Sequence, residues 1–148
     1  MKGAAKDQWI CFDGQGSLSA AGTGQVYANK DLINHHGGVV LLGNHLYGHS
    51  DSKGWVCMDF KTGNTVWANK GVGKGSVVAV DGHLITRSEE GPGIVALVEA
   101  TPDGYKEKGR FPQPERSTKN SWAHPVVSGG KLYLRDQDVL LCYDLRQK

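Results

Sequence analysis

The chain is short of most of the features that would assign it quickly to a function class. It has no excess of one charge, with 17 Lys and Arg against 15 Asp and Glu in 148 residues. No global field therefore draws it to nucleic acid or to an anionic membrane. The basic residues are scattered, as in Lys106, Lys108, Arg110 and Arg116, which reads as a solvated surface, and nucleic acid is not an expected partner. No apolar stretch approaches the roughly 20 residues that cross a bilayer. Met1-Lys2-Gly3-Ala4 lacks the apolar region of a signal peptide, so the sequence itself shows no export. There is no G-x-S-x-G elbow and no H-E-x-x-H pair; Gly71-Val72-Gly73-Lys74-Gly75-Ser76 has the composition of a phosphate loop without its spacing or its helix. No helical periodicity appears anywhere, so helix content is expected to be near zero.

What the chain has is glycine, 21 residues of it, and a repeat. Trp9-Ile10-Cys11-Phe12-Asp13 recurs as Trp55-Val56-Cys57-Met58-Asp59, and Leu141-Cys142-Tyr143-Asp144 is a third copy of its core. Gln25-Val26-Tyr27-Ala28-Asn29-Lys30 likewise matches Thr65-Val66-Trp67-Ala68-Asn69-Lys70. A period of roughly 40 to 50 residues belongs to propellers and solenoids. The three cysteines fall at one place in three equivalent strands, about a blade apart and so beyond the ~7 Å Cα reach of a disulfide. All three are expected to be free and buried as small hydrophobes.

From Gly38 onward, short apolar runs alternate with turn residues. Strands are expected over 39–42, 45–48, 55–59 and 65–67, with turns at Gly43-Asn44 and Lys61-Thr62-Gly63. The pattern restarts over 77–80, 83–86 and 94–98, and again over 125–127, 131–134 and 139–143. Four antiparallel strands in about 40 residues is the build of a propeller blade. The fold class expected is therefore all-β: one partial propeller over 1–148, with units at about 1–36 (partial), 37–76, 77–123 and 124–148 (partial). Closed propellers need roughly 4 to 8 blades, so an open arc is expected, a piece of a larger propeller with unpaired edges that favour self-association.

Asp59-Phe60-Lys61-Thr62-Gly63-Asn64-Thr65-Val66-Trp67 resembles the repeat signature of PQQ-binding-like β-propellers. In that family the Asp, the Gly and a terminal Trp recur along each blade, and the Trp packs between blades. Asp59, Gly63 and Trp67 are the matching residues, and Tyr27 replaces the Trp in the first unit. The segments His35-His36-Gly37-Gly38, Ser121-Trp122-Ala123-His124-Pro125 and Leu134-Arg135-Asp136-Gln137-Asp138 look typical of a secreted bacterial branch, so the resemblance implies a periplasmic or secreted protein. It also implies PQQ with Ca²⁺ as a cofactor for those members that are quinoprotein dehydrogenases. Their adjacent-cysteine disulfide has no counterpart here, although Trp55 and Trp122 offer stacking surfaces. Other members are interaction scaffolds, including an outer-membrane assembly lipoprotein.

Strand direction gathers the polar residues at one end of the blades. Aligning units on Leu46, Leu84 and Leu132 puts His49, Arg87 and Arg135 at one position, followed by Ser50, Ser88 and Asp136, then Asp51, Glu89 and Gln137. The loops entering the first strands add His35, His36, Ser121, Trp122 and His124 to the same face. Loops on a rigid scaffold carry function more often than tight turns do. The candidate ligand-binding residues are accordingly His35, His36, His49, Arg87, Trp122, His124 and Arg135, with Arg87 and Arg135 as exposed cations around the axis. The bland alternative makes exposed ion pairs of Arg87 with Glu89 or Glu90, and of Arg135 with Asp136 or Asp138. No metal site is expected, because His35 and His36 would point to opposite sides of an extended segment. The expected function is a binding or assembly scaffold for a protein partner or a small anionic ligand, with no catalytic residue; a fragment of a PQQ-dependent oxidoreductase is the alternative.

Overall fold

The computed structural model describes residues 11–12, 18–19, 27–28 and 30–146, the first two pairs as backbone alone. The repeat positions Trp9, Ile10, Asp13, Gln25, Val26 and Asn29 lie outside the described residues, as does most of the first expected unit. All described regular structure is β. A short two-stranded antiparallel sheet joins β1 (Cys11–Phe12) and β2 (Leu18–Ser19).

Three larger sheets follow, each laid down in chain order. Blade A is β3 (Val39–Leu42), β4 (His45–Ser50), β5 (Gly54–Asp59) and β6 (Thr65–Asn69). Blade B is β7 (Gly75–Val80), β8 (His83–Ser88), β9 (Ile94–Glu99) and β10 (Lys106–Pro112). Blade C is β11 (Val126–Ser128), β12 (Lys131–Asp136) and β13 (Val139–Asp144). Every pairing is antiparallel between sequence neighbours, and the inner strand β7 lies beside both β3 and β11. The molecule is thus an incomplete propeller, an open arc of blades.

The local chemistry explains the strands. Apolar runs too short for helices are cut by turn residues, and at Asp81-Gly82 both central residues take left-handed angles (φ 44° and 70°), the twist a two-residue hairpin needs. Most strands run one or two residues past their apolar core, because the ladder continues through polar positions such as His49 and Ser50. The segment after Pro102, with no assigned strand in the sequence reading, forms β10 and completes blade B.

Two apolar layers hold the blades together. Tyr47, Trp55 and Cys57 of blade A meet Val77, Leu84, Ala96 and Val98 of blade B. Ile85 and Val95 of blade B meet Leu132 and Leu134 of blade C. Of the aligned leucines, Leu84 and Leu132 are each 2% exposed, while Leu46 is half-buried.

The Asp–Gly–Trp motif builds a joint between blades. The Asp59 carboxylate accepts hydrogen bonds from the Lys61 and Thr62 amides and the Thr62 hydroxyl, and the Gly63 amide donates to the Asp59 carbonyl. Gly63 has φ 72°, and a Cβ there would sit 2.5 Å from the Tyr27 ring, so glycine is required twice over. Four residues on, the Trp67 indole crosses to blade B, donates to the Thr101 carbonyl (2.8 Å) and meets Tyr105 edge to face. Tyr27 repeats the device one unit earlier, its hydroxyl donating to the Phe60 carbonyl at 2.9 Å.

The thiols divide. Cys57 is buried and free, and burial pushes its pKa up, partly offset by the Tyr47 hydroxyl. Cys142 is free but exposed, which corrects the expectation of a buried thiol there. It lies opposite Tyr133 on the side of blade C that no further blade covers. The side chain of Cys11 lies outside the described residues.

Candidate functional site

The loops entering the blades converge at one end of the arc, as the strand directions require. His35 and His36 precede blade A, Ser121 to His124 precede blade C, and Glu89 follows β8 of blade B. The His124 imidazole Nε2 lies 2.7 Å from the His36 carbonyl, although 88 residues separate them. The His36 ring stands 5.5 Å from the Trp122 indole, and its Nε2 pairs with the Glu89 carboxylate. Three blades therefore contribute to one cluster.

His35 and His36 do not diverge. The segment bends instead of extending, and the two rings lie 5.0 Å apart. His35 Nδ1 meets the Lys74 ammonium at 2.7 Å, and Lys74 also pairs with Asp51 at 3.1 Å. That ammonium, with the nearby imidazoles, holds the Asp51 carboxyl below its ordinary range. A shallow depression of about 440 Å³ opens here, lined by His49, Ser50, Asp51, Lys70 and Lys74. A second, of about 480 Å³, lies between Glu89 and Glu90 on one side and Arg116 to Asn120 on the other.

His49 is nearly enclosed, at 7% exposure, with its ring against the edge of Trp55. Burial lowers its pKa more than Asp51 raises it, so the imidazole is neutral at physiological pH. Trp55 itself is 2% exposed and donates to the Gly73 carbonyl, which makes it packing and not a platform. Trp122 is 56% exposed, the one candidate aromatic left open to solvent.

Arg87 overturns the sequence expectation of an exposed cation. It is 1% exposed and works as a clamp between blades B and C. Its guanidinium donates to the Arg135 carbonyl (2.7 Å), the Ala123 carbonyl (3.3 Å) and the Gln113 side chain. Burial depresses its pKa, and the nearby Asp136 carboxylate works against that. The ion pairs with Glu89 or Glu90 are not formed either. Arg135 is exposed and donates to the Gln137 carbonyl of its own turn, not to Asp136 or Asp138. Alignment had correctly put Arg87 and Arg135 at one register position. It could not tell which of them has a blade on its far side.

Arg116, expected on a solvated surface, is enclosed instead. Its side chain is 9% exposed, pairs with Asp136 at 2.7 Å and donates to the Glu89 carbonyl at 2.6 Å. Asp136 is 1% exposed and also accepts from Gln113 and from the Ser117 amide and hydroxyl. Gln113, Arg116 and Lys74 are the residues of this face that sequence reasoning missed. Their partners come from other blades or distant turns, so no local pattern marks them.

The donor set among the described residues does not suit PQQ with Ca²⁺. Calcium takes 6–8 oxygen ligands, and among the described residues no group of three His, Cys, Asp or Glu is placed to hold a metal ion. Trp122 has an imidazole beside it, and Cys57 and Cys142 stand apart as free thiols.

Comparison with known proteins finds no family model that matches the chain and no matching curated protein. Among the described residues no helix is long and apolar enough to cross a membrane.

Proposed function

We propose that the chain is a propeller-type binding scaffold of the PQQ-binding-like kind, which docks an acidic segment of a protein partner on the entry-loop end of its blades. The observation that carries this reading is Trp122. A large indole is held open to solvent beside His36, where loops of three blades meet. Exposed aromatics on rigid supports are what binding hot spots use. Lys74, in the lining of the neighbouring depression, and His35, in contact with it, supply donors for a carboxylate. Since no described ligand set suits a quinone cofactor, the oxidoreductase alternative gains no support from the site.

The test is a titration with a hexaglutamate peptide followed by NMR of the Trp122 indole N–H and the histidine rings, with PQQ plus Ca²⁺ titrated in parallel. Saturable shifts at Trp122, His35 and His36 are expected with the peptide, and they should be lost in Trp122→Ala and weakened at least ~10-fold in Lys74→Ala. Silence of these signals at millimolar peptide overturns the proposal. Saturable binding of PQQ with electron transfer to a dye would move the reading to the enzyme.

A further inference from the structure

Two histidines with opposite needs fasten the loop entering blade A to blade B. The base of that loop is tied to its own blade: the Ile33 amide donates to the Ser50 hydroxyl and the Asn34 side chain to the His49 carbonyl, each at 3.0 Å. Its tip crosses over. His36 pairs with the Glu89 carboxylate, and the His36 carbonyl accepts from His124 of the loop entering blade C. His35 is exposed, and its Nδ1 meets the ammonium of Lys74, at the entrance to β7, at 2.7 Å. An ammonium only donates, so Nδ1 carries a bare lone pair and His35 is neutral while this contact exists.

A proton sorts these contacts. On His36 it sets a cation against a carboxylate, and the His124 Nε2–H donates in either state, so both survive. On His35 it removes the acceptor and leaves two cations face to face. The surrounding groups do not cancel that repulsion. Asp51 already pairs with Lys74 at 3.1 Å, Glu89 is engaged by His36, and Lys70 adds a further cation to the depression. Burial keeps His49 neutral, and the His36 ring lies 5.0 Å from that of His35. A carboxylate placed between His35 and Lys74 relieves the repulsion.

We infer that His35 and Lys74 form a pH-sensitive latch on the docking end, closed while His35 is neutral and opened by a proton into a pair of cations that receives a partner's carboxylate. The inference rests on the docking function proposed above. Docking and proton uptake then favour each other, because binding couplings are reciprocal. Acidic segments bind more tightly as pH falls through the range in which imidazoles change charge.

The experiment is calorimetric titration of the whole chain with hexaglutamate at about pH 8 and about pH 6, where the peptide stays ionised, with NMR of the imidazole nitrogens in peptide-free protein. At the higher pH His35 should show a bare Nδ1 and a protonated Nε2; a proton on Nδ1 there overturns the latch. Affinity should rise at least ~10-fold at the lower pH. His35→Gln, which keeps an acceptor for Lys74 but takes up no proton, should abolish the rise, and His83→Gln, beside the Asp81-Gly82 turn, should retain it. Circular dichroism checks that each variant keeps its strands; His35→Asn serves if His35→Gln does not. Equal affinity at the two pH values, or a rise that survives in His35→Gln, overturns the inference and leaves the docking function standing. No binding at either pH removes the docking function and this inference with it.

Discussion

Asp136 shows how much a single side chain holds in this arc. Burial alone would raise its pKa, but the Ser117 amide, Arg116 and the Ser117 hydroxyl donate to the carboxylate, and with the charge of Arg116 they bring it to about 2. The folded-state value lies below the unfolded one, so the stabilisation is fully present above about pH 4 and fades as pH falls through about 2. The shift corresponds to about 2 kcal/mol. Urea titrations of Asp136→Asn should therefore show a loss of about that size at pH 7, shrinking towards zero near pH 2. A loss that is the same at both pH values would mean that the carboxylate's charge is not what matters. None of this was legible in the sequence, where Asp136 and Arg116 are 20 residues apart and Arg116 looks like any surface cation. The Asp59 turn was legible, because the partners of its carboxylate, Lys61 and Thr62, lie two and three residues on.

At the scale of elements, the repeat revealed more than the side-chain roles. Strand positions followed from apolar runs and turn residues, since a two-residue period and a hairpin turn are local properties. Of the Asp–Gly–Trp joint, the turn at Lys61-Thr62-Gly63 was legible locally, whereas the packing of its Trp between blades was legible only through the family resemblance. What each indole touches is a matter of packing, and here Trp67 bridges Tyr47 of its own blade and Tyr105 of the next. Trp67→Phe keeps much of that contact but orphans the Thr101 carbonyl, so it should cost about 1 kcal/mol. Trp67→Ala empties the joint and should cost about 3 to 5 kcal/mol. Equilibrium urea denaturation separates the two. Equal losses would place the stabilisation in the hydrogen bond and not in the ring.

At the scale of the whole molecule, one register position does three different jobs. His49 is enclosed beside Trp55, Arg87 clamps two blades, and Arg135 faces solvent. Sequence alignment showed the equivalence but not the difference, because burial depends on whether another blade lies beyond. The same physics separates buried Cys57 from exposed Cys142. On the function proposed above, binding and stability are divided between neighbours on one face: Arg87 joins blades, and the exposed Trp122 is the residue proposed to meet a partner. The most direct measurement of that division is urea denaturation of Arg87→Ala and Trp122→Ala side by side with the wild type. Arg87→Ala leaves the Arg135 and Ala123 carbonyls and the Gln113 side chain without their donor and empties a buried joint, and should lose about 3 kcal/mol or more. Trp122→Ala should stay within about 0.5 kcal/mol of the wild type. The opposite order, a stable Arg87→Ala and a strongly destabilised Trp122→Ala, would contradict the assignment of the clamp and of the binding face together.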